Sequence, residues 1–328
     1  MFRHPRVHLL APIALAGLAG VGTTYAMSPN ERLMEANAEI ARSAELEMPP
    51  LVFEGEFEYI EREFMSVTLR PDDIDRYRNL ARDPDFSHRF VKGSFVLTFE
   101  GEEAHLLRQV DETAFFDRDG RELDIQEDYW LTEEVWLKSD STAIITKSME
   151  EPDPTRGHVH ALERVPIDQL KRDARLRWFI PFPMQWRLNF AFPPNYDAEF
   201  YSYVGDYTYT GTESRQGIES TIQLSLCPDS LHPTRYVTHA SLNPDSPSRL
   251  MGIHEYEWRD HDGLWLPRRQ VTVWGIKDGD EDGSEAEKIT VTFTRISAAE
   301  EVGIPPLPQA SRYIDRTTSP PTEAGSIR

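Results

Sequence analysis

The sequence predicts a mainly β, α+β fold: a single antiparallel sheet, with one helix before it and one inserted midway. Three observations predict it. Aromatic and aliphatic residues alternate with acids at a period of two from Leu51 onward. Turn signals recur at short intervals between segments of this kind as far as Ile296. Only two stretches, after Ser28 and after Pro166, carry apolar residues at helical spacing.

The chain opens with positive charge at Arg3 and Arg6 and has no acid before Glu31. Leu9 to Gly22 is uncharged and rich in Ala, Leu and Gly, and Thr24-Tyr25-Ala26 places small residues at −3 and −1 of a cut after Ala26. That order predicts a cleavable secretory signal peptide over 1–26, with an apolar run too short to span a bilayer. No cysteine lies near the cut to accept a lipid. The expected location is the periplasm or the extracellular space, and the expected product is water-soluble.

Ser28-Pro29-Asn30-Glu31 reads as a capping box with proline in the first turn. Leu33, Asn37, Ile40 and Ala44 follow on one helical face, and Pro49-Pro50 ends the segment. Leu51, Phe53, Phe57 and Tyr59 then share one parity and Glu54, Glu56 and Glu58 the other, which predicts a strand with one buried face. Pro71 to Ser87 is polar and reads as a loop or short helix. Val91, Phe95, Leu97 and Phe99 form a second inward parity, with Gly93 at a bend or bulge. Ala104 to Val110 returns after Gly101, Asp119-Gly120 marks a turn, and Glu134 to Lys147 reads as a hairpin turning at Ser139-Asp140.

Pro152 to Gly157 is rich in turn residues. Ile167, Leu170, Ala174 and Trp178 then fall at helical spacing until Pro181 and Pro183 stop them. Strands resume with Tyr201, Tyr203, Tyr207 and Tyr209 on one parity around Gly205. Further strands are expected at Ser220 to Leu226, Arg235 to Ser241, Leu250 to Arg259, Leu264 to Trp274 and Ile289 to Ile296. From there the chain becomes rich in Pro and Ser, so 27–300 is expected as one domain and 301–328 as a disordered tail.

Composition narrows the partners. The 328 residues hold 35 Lys and Arg against 56 Asp and Glu, a net charge of −21. Such a field repels nucleic-acid phosphates and anionic membrane surfaces, so neither is an expected partner. Cys227 is the only cysteine, which leaves the fold without an internal disulfide. At a strand end before Pro228 it reads as a small packing residue.

Two constellations suggest metals. Asp278-Gly279-Asp280-Glu281-Asp282-Gly283 matches the first six positions of an EF-hand loop, but Ile289 stands where the bidentate glutamate belongs. Its flanks read as strands, so a solvated acidic hairpin is the expected structure. His158 and His160 with Glu163 have zinc-like spacing and lack a nameable third ligand, so no metal site is expected. Acid pairs such as Glu54/Glu56 and Glu133/Glu134 arise by chance in so acidic a chain. There is no nucleophile elbow, phosphate loop, zincin helix or dinucleotide fingerprint, and no catalytic residue or cofactor is expected.

The distributed aromatic signal carries more. Phe53, Phe57, Tyr59, Phe95 and Phe99 lie on inward parities, and Trp178 and Phe179 end the inserted helix. Singly each reads as core. Together, on a strongly curved sheet under a helix, they would line a groove for acyl chains. The order of export signal, N-terminal helix, long early strands, inserted helix and returning hairpins resembles the LolA/LolB-like family of periplasmic lipoprotein carriers and receptors. Leu224-Ser225-Leu226-Cys227-Pro228 is similar to that family's late strand ending in a proline turn. Tyr256 to Pro267, ending Asp262-Gly263-Leu264-Trp265-Leu266-Pro267, resembles the hairpin that follows. The resemblance implies an unclosed β-barrel with a helical lid, a lipid or lipoprotein acyl chain as partner, and a lid-locking arginine for which Arg62 and Arg70 are candidates. The expected function is therefore a non-enzymatic carrier or sensor. The alternatives are a cell-envelope protein-interaction module using Tyr201 to Tyr209 or a sheet edge, and a secreted hydrolase using carboxylates or His158/His160.

Overall fold

The computed structural model describes residues 27–45, 50–61, 86–124, 132–148, 158–168, 179–181, 197, 199–215, 218–241, 248–261, 264–276, 285–298, 303–318 and 321–327. The signal segment, Arg62, Arg70, Trp178 and the acidic loop over 278–283 lie outside them.

Helix α1 (Pro29–Glu45) begins where the sequence places it. Ser28 N donates to Glu31 Oε2 at 2.7 Å and Glu31 N donates to Ser28 Oγ at 3.3 Å, so both halves of the capping box form. The hydrogen bonds from Ser28 hold the Glu31 carboxyl below its ordinary pKa.

Among the described residues one sheet of 15 strands follows. The first six are β1 (Leu51–Glu61), β2 (Phe86–Glu100), β3 (Glu103–Asp117), β4 (Thr132–Leu137), β5 (Thr142–Ser148) and β6 (His158–Pro166). Next come β7 (Ser202–Gly205), β8 (Thr208–Arg215), β9 (Ile218–Leu226), β10 (Pro233–Ser241), β11 (Arg249–His261) and β12 (Leu264–Ile276). The last are β13 (Glu285–Ala298), β14 (Gln309–Asp315) and β15 (Thr322–Ile327). Their spatial order is β15-β14-β6-β5-β4-β3-β2-β1-β13-β12-β11-β10-β9-β8-β7. The sheet is curved and open, since β15 and β7 end it without pairing to each other. Sequence neighbours pair antiparallel from β1 to β6 and from β7 to β13, and β1 joins the two halves by pairing with β13. The acidic loop is flanked by β12 and β13, strands as expected.

The sheet twists around its glycines. Phe57 opposes Gly93 and Gly55 opposes Phe95 across β1 and β2. A Cβ on Gly93 would lie 2.6 Å from the Phe57 ring, and one on Gly55 would lie 2.5 Å from the Phe95 ring. Each glycine is therefore roofed by the phenylalanine of its partner strand, which restores the apolar contact a glycine lacks.

Among the described residues three apolar clusters form the core. The largest gathers the inward residues of β1–β5 and β13 with Phe179 and Ile180. A second packs Leu33 and Ala36 of α1 on Tyr201, Tyr209, Ile222 and Leu224, and Tyr209 Oη donates to the Pro29 carbonyl at 2.9 Å. The third covers the opposite face of β4–β6 with Trp136, Ile144, Leu162 and Ala310.

The structure departs from the sequence reading at three places. Residues 301–328 are not a disordered tail over the described span: β14 pairs in parallel with β6, β15 pairs with β14, and Trp136 Nε1 donates to the Pro305 carbonyl at 3.0 Å. The prolines break pairing near 305–308, yet the chain beyond them regains strand alternation beside an open edge. His158 to Pro166, singled out in the sequence only for its zinc-like spacing, is strand β6. Tyr201 to Tyr209 is a tight hairpin in which Asp206 and Tyr207 take positive φ, so Tyr201 and Tyr209 are buried while Tyr203 is 42% exposed. The inserted helix is described only at 167–168 and 179, and residues 169–178 lie outside the described set.

Candidate functional site

Alternation in β1 buries Leu51, Phe53, Phe57 and Tyr59 and turns Glu56 and Glu58 to solvent. Antiparallel register then stacks like with like: Leu97 lies opposite Phe53, Val91 opposite Tyr59, and Phe99 opposite Leu51. On the other side of β1, β13 sets Val291 opposite Phe57 and Phe293 opposite Gly55. The result is a continuous aromatic and aliphatic inner face.

Phe179 comes from the connection between β6 and β7 and lies on this face, 1% exposed. Its ring meets Phe57 edge-on with centroids 5.1 Å apart, and Phe95 with centroids 5.3 Å apart. Phe95 in turn meets Phe293 at 5.5 Å, and Phe293 meets Phe53 at 5.9 Å. Edge-to-face pairs of this kind each add roughly 0.5–1.5 kcal/mol beyond area burial. Phe53, Phe57, Tyr59, Phe95, Phe99 and Phe179 thus belong to one cluster. Trp178 lies outside the described residues.

Phe293 was missed in the sequence, although it shares parity with Ile289 and Val291 on β13. So was a charged row that borders the face. Arg108 on β3 opposes Glu133 on β4, which opposes Lys147 on β5. Arg108 Nη2 donates to Glu133 Oε2 at 2.5 Å, and Lys147 Nζ donates to Oε1 of the same carboxylate at 3.0 Å. The Arg108 guanidinium lies 5.6 Å from the Phe179 ring centre and 5.9 Å from that of Phe57. Its signal in the sequence was the parity Arg108 shares with Ala104 and Leu106. At the far end of β1, Glu61 opposes both Arg89 and Glu287, and Arg89 Nη2 donates to Glu61 Oε2 at 2.7 Å in a buried pair.

The metal-like set does not assemble on the described atoms. Glu163 accepts two hydrogen bonds from Arg316, at 2.9 and 3.3 Å, while the side chains of His158 and His160 lie outside the described residues. Among the described residues no three His, Cys, Asp or Glu side chains group as metal ligands. Cys227 is a free thiol in the β9–β10 turn.

With this geometry, the chain was compared with known proteins. No protein-family model and no curated protein matches the sequence. Two solved structures show a distant likeness. One is a DUF1329 family protein from Desulfovibrio piger, at 8% identity and a TM-score of 0.31 over 83% of this chain and 95% of that one. The other is lipovitellin, described for its lipid–protein interactions, at 9% identity and a TM-score of 0.30. It is matched over 79% of this chain and 26% of its own. Likenesses of this size carry no argument about what this chain binds.

Proposed function

We propose that this protein is an exported, non-enzymatic carrier or sensor that shelters an acyl chain, of a lipid or a lipoprotein, against its aromatic inner face. The observation that carries the reading is the cover. Phe179 and Ile180 reach the sheet from a connecting segment and not from a strand, so the apolar face is closed by residues outside the sheet's own hydrogen-bonding. An acyl chain could replace that cover without breaking a strand pair. Burying each methylene contributes about 0.8 kcal/mol, enough for reversible capture with no covalent chemistry. Export over 1–26 fits the location, and a cut after Ala26 would leave the Ser28 cap of α1 intact.

Native mass spectrometry of the gently purified protein is expected to show co-purified lipid, and a fluorescent fatty acid is expected to bind it. Protein that is empty and indifferent to the fatty acid would remove the reading. One observation favours the interaction module instead: β7 ends the sheet with Tyr203 and Val204 exposed, the latter at 57%. An open strand edge of this kind can accept another strand. In that case a binding partner would protect the amides of β7 from hydrogen exchange, with no lipid involved.

A further inference from the structure

The geometry points to the Arg108–Glu133–Lys147 row as the seat of an anionic headgroup, a carboxylate or a phosphate, on the amphiphile whose chain lies along the aromatic face. This rests on the acyl-chain reading above and adds the chemical class of the ligand.

Among the described residues the row holds two cations and one carboxylate. Glu133 offers one oxygen to each cation, so among the described residues neither cation has a carboxylate of its own. Arg108 Nε is buried and has no acceptor among the described residues. A buried guanidinium N–H without an acceptor is costly, and an incoming oxyanion would supply one. All three side chains remain partly open, at 17% for Arg108, 11% for Glu133 and 23% for Lys147. An anion could therefore reach them from solvent while its tail turned inward.

Position supports the same conclusion. Arg108 touches the rings of Phe57 and Phe179 on one side and Glu133 on the other. Along β3 its inward neighbours are Ala104 and Leu106, both buried. The apolar face thus passes into a net positive charge within one side chain, matching an amphiphile with one acidic end. The overall charge of −21 opposes anions at long range. Salt screens that field over about 8 Å at physiological ionic strength, whereas a direct contact in the row is little screened.

Dodecanoic acid, dodecyl phosphate and dodecanol, each displacing a fluorescent acyl probe from the purified chain at neutral pH, separate head from tail. The acid and the phosphate are expected to bind about tenfold or more tightly than the alcohol, the value of a charged hydrogen bond. Which of the two is tighter identifies the natural head as carboxylate or phosphate. Arg108→Gln and the more exposed Lys147→Gln should each bring acid and alcohol to near parity. Glu133→Gln removes the competing carboxylate and should widen the preference, an effect a merely structural ion pair would not produce. Thermal melts identify any variant that fails to fold, and Lys147→Gln and Glu133→Gln keep the test open if Arg108→Gln does. Equal binding of acid and alcohol by the unaltered protein would overturn the headgroup seat and leave the acyl-chain reading standing. Binding of none of the three would end both.

Discussion

His232 shows how far burial can move one side chain. It is 2% exposed, and its ring lies 4.7 Å from that of Trp258 and 6.1 Å from that of Trp265. Nδ1 lies 3.0 Å from the Ser230 carbonyl, which can only accept, so Nδ1 carries a proton. Desolvation pushes its pKa down to about 4, against the opposing pull of the Ser230 carbonyl. The unfolded chain takes up a proton near pH 6.5 and the folded chain only near 4. The contribution to stability is therefore present above pH 6.5 and is lost as pH falls toward 4, by roughly 3 kcal/mol. Urea denaturation across that window should show this loss in the native protein, and a slope shallower by that amount in His232→Gln. Equal slopes would mean the imidazole is charged or hydrated in the fold. The sequence put no weight on His232, because only the distant Trp258 and Trp265 make its surroundings apolar.

At the level of elements, the reciprocal glycine–phenylalanine pairs fix how β1 and β2 curve. Gly93→Ala would set a methyl group against the Phe57 ring and the Gln109 carbonyl, and overpacking of this kind costs about 1–3 kcal/mol. Gly120→Ala is the comparison: it replaces a turn glycine at φ 76°, which strains the backbone, but a Cβ there meets nothing within 4 Å. Denaturation should place Gly93→Ala below Gly120→Ala, and near-UV circular dichroism should report the displaced aromatic rings. A Gly93→Ala protein as stable as the native one would contradict the packing. Gly93 was legible as a bend because it interrupts a clear inward parity. The hairpins were legible for the same reason, since Gly101, Asp119-Gly120 and Ser139-Asp140 are local signals. What was not legible depended on distant partners. Strand β6 reads as polar because Glu163 and Arg164 satisfy themselves with Arg316, Asp140 and Asp315. The pairing of β14 with β6 cannot be foreseen from a Pro- and Ser-rich segment. Removing residues 303–328 should uncover Trp136, Ile144 and Leu162 on the outer face. The expected result is a lower melting temperature and red-shifted tryptophan emission, and an unchanged melt would show that the segment adds nothing to the fold.

Across the whole molecule, one open sheet is covered in different ways along its length: α1 over β8 and β9, the segment after Gly303 over the outer face of β4–β6, and Phe179 with Ile180 over the aromatic face. The first two covers are tied down by specific hydrogen bonds, Tyr209 to Pro29 and Trp136 to Pro305. Phe179 meets the sheet through ring edges and the Arg108 guanidinium, contacts that an acyl chain can replace. The parity of β1 and β2 showed the floor of the site. It could not show the charged row, because Arg108, Glu133 and Lys147 meet only through the register of three strands. A fatty acid carrying a mid-chain diazirine tests the central claim most directly. After irradiation and peptide mapping, adducts are expected on β1, β2 and β13 and around Phe179. Adducts confined to α1 and β8–β10, or spread evenly over the surface, would contradict an acyl chain sheltered on the aromatic face.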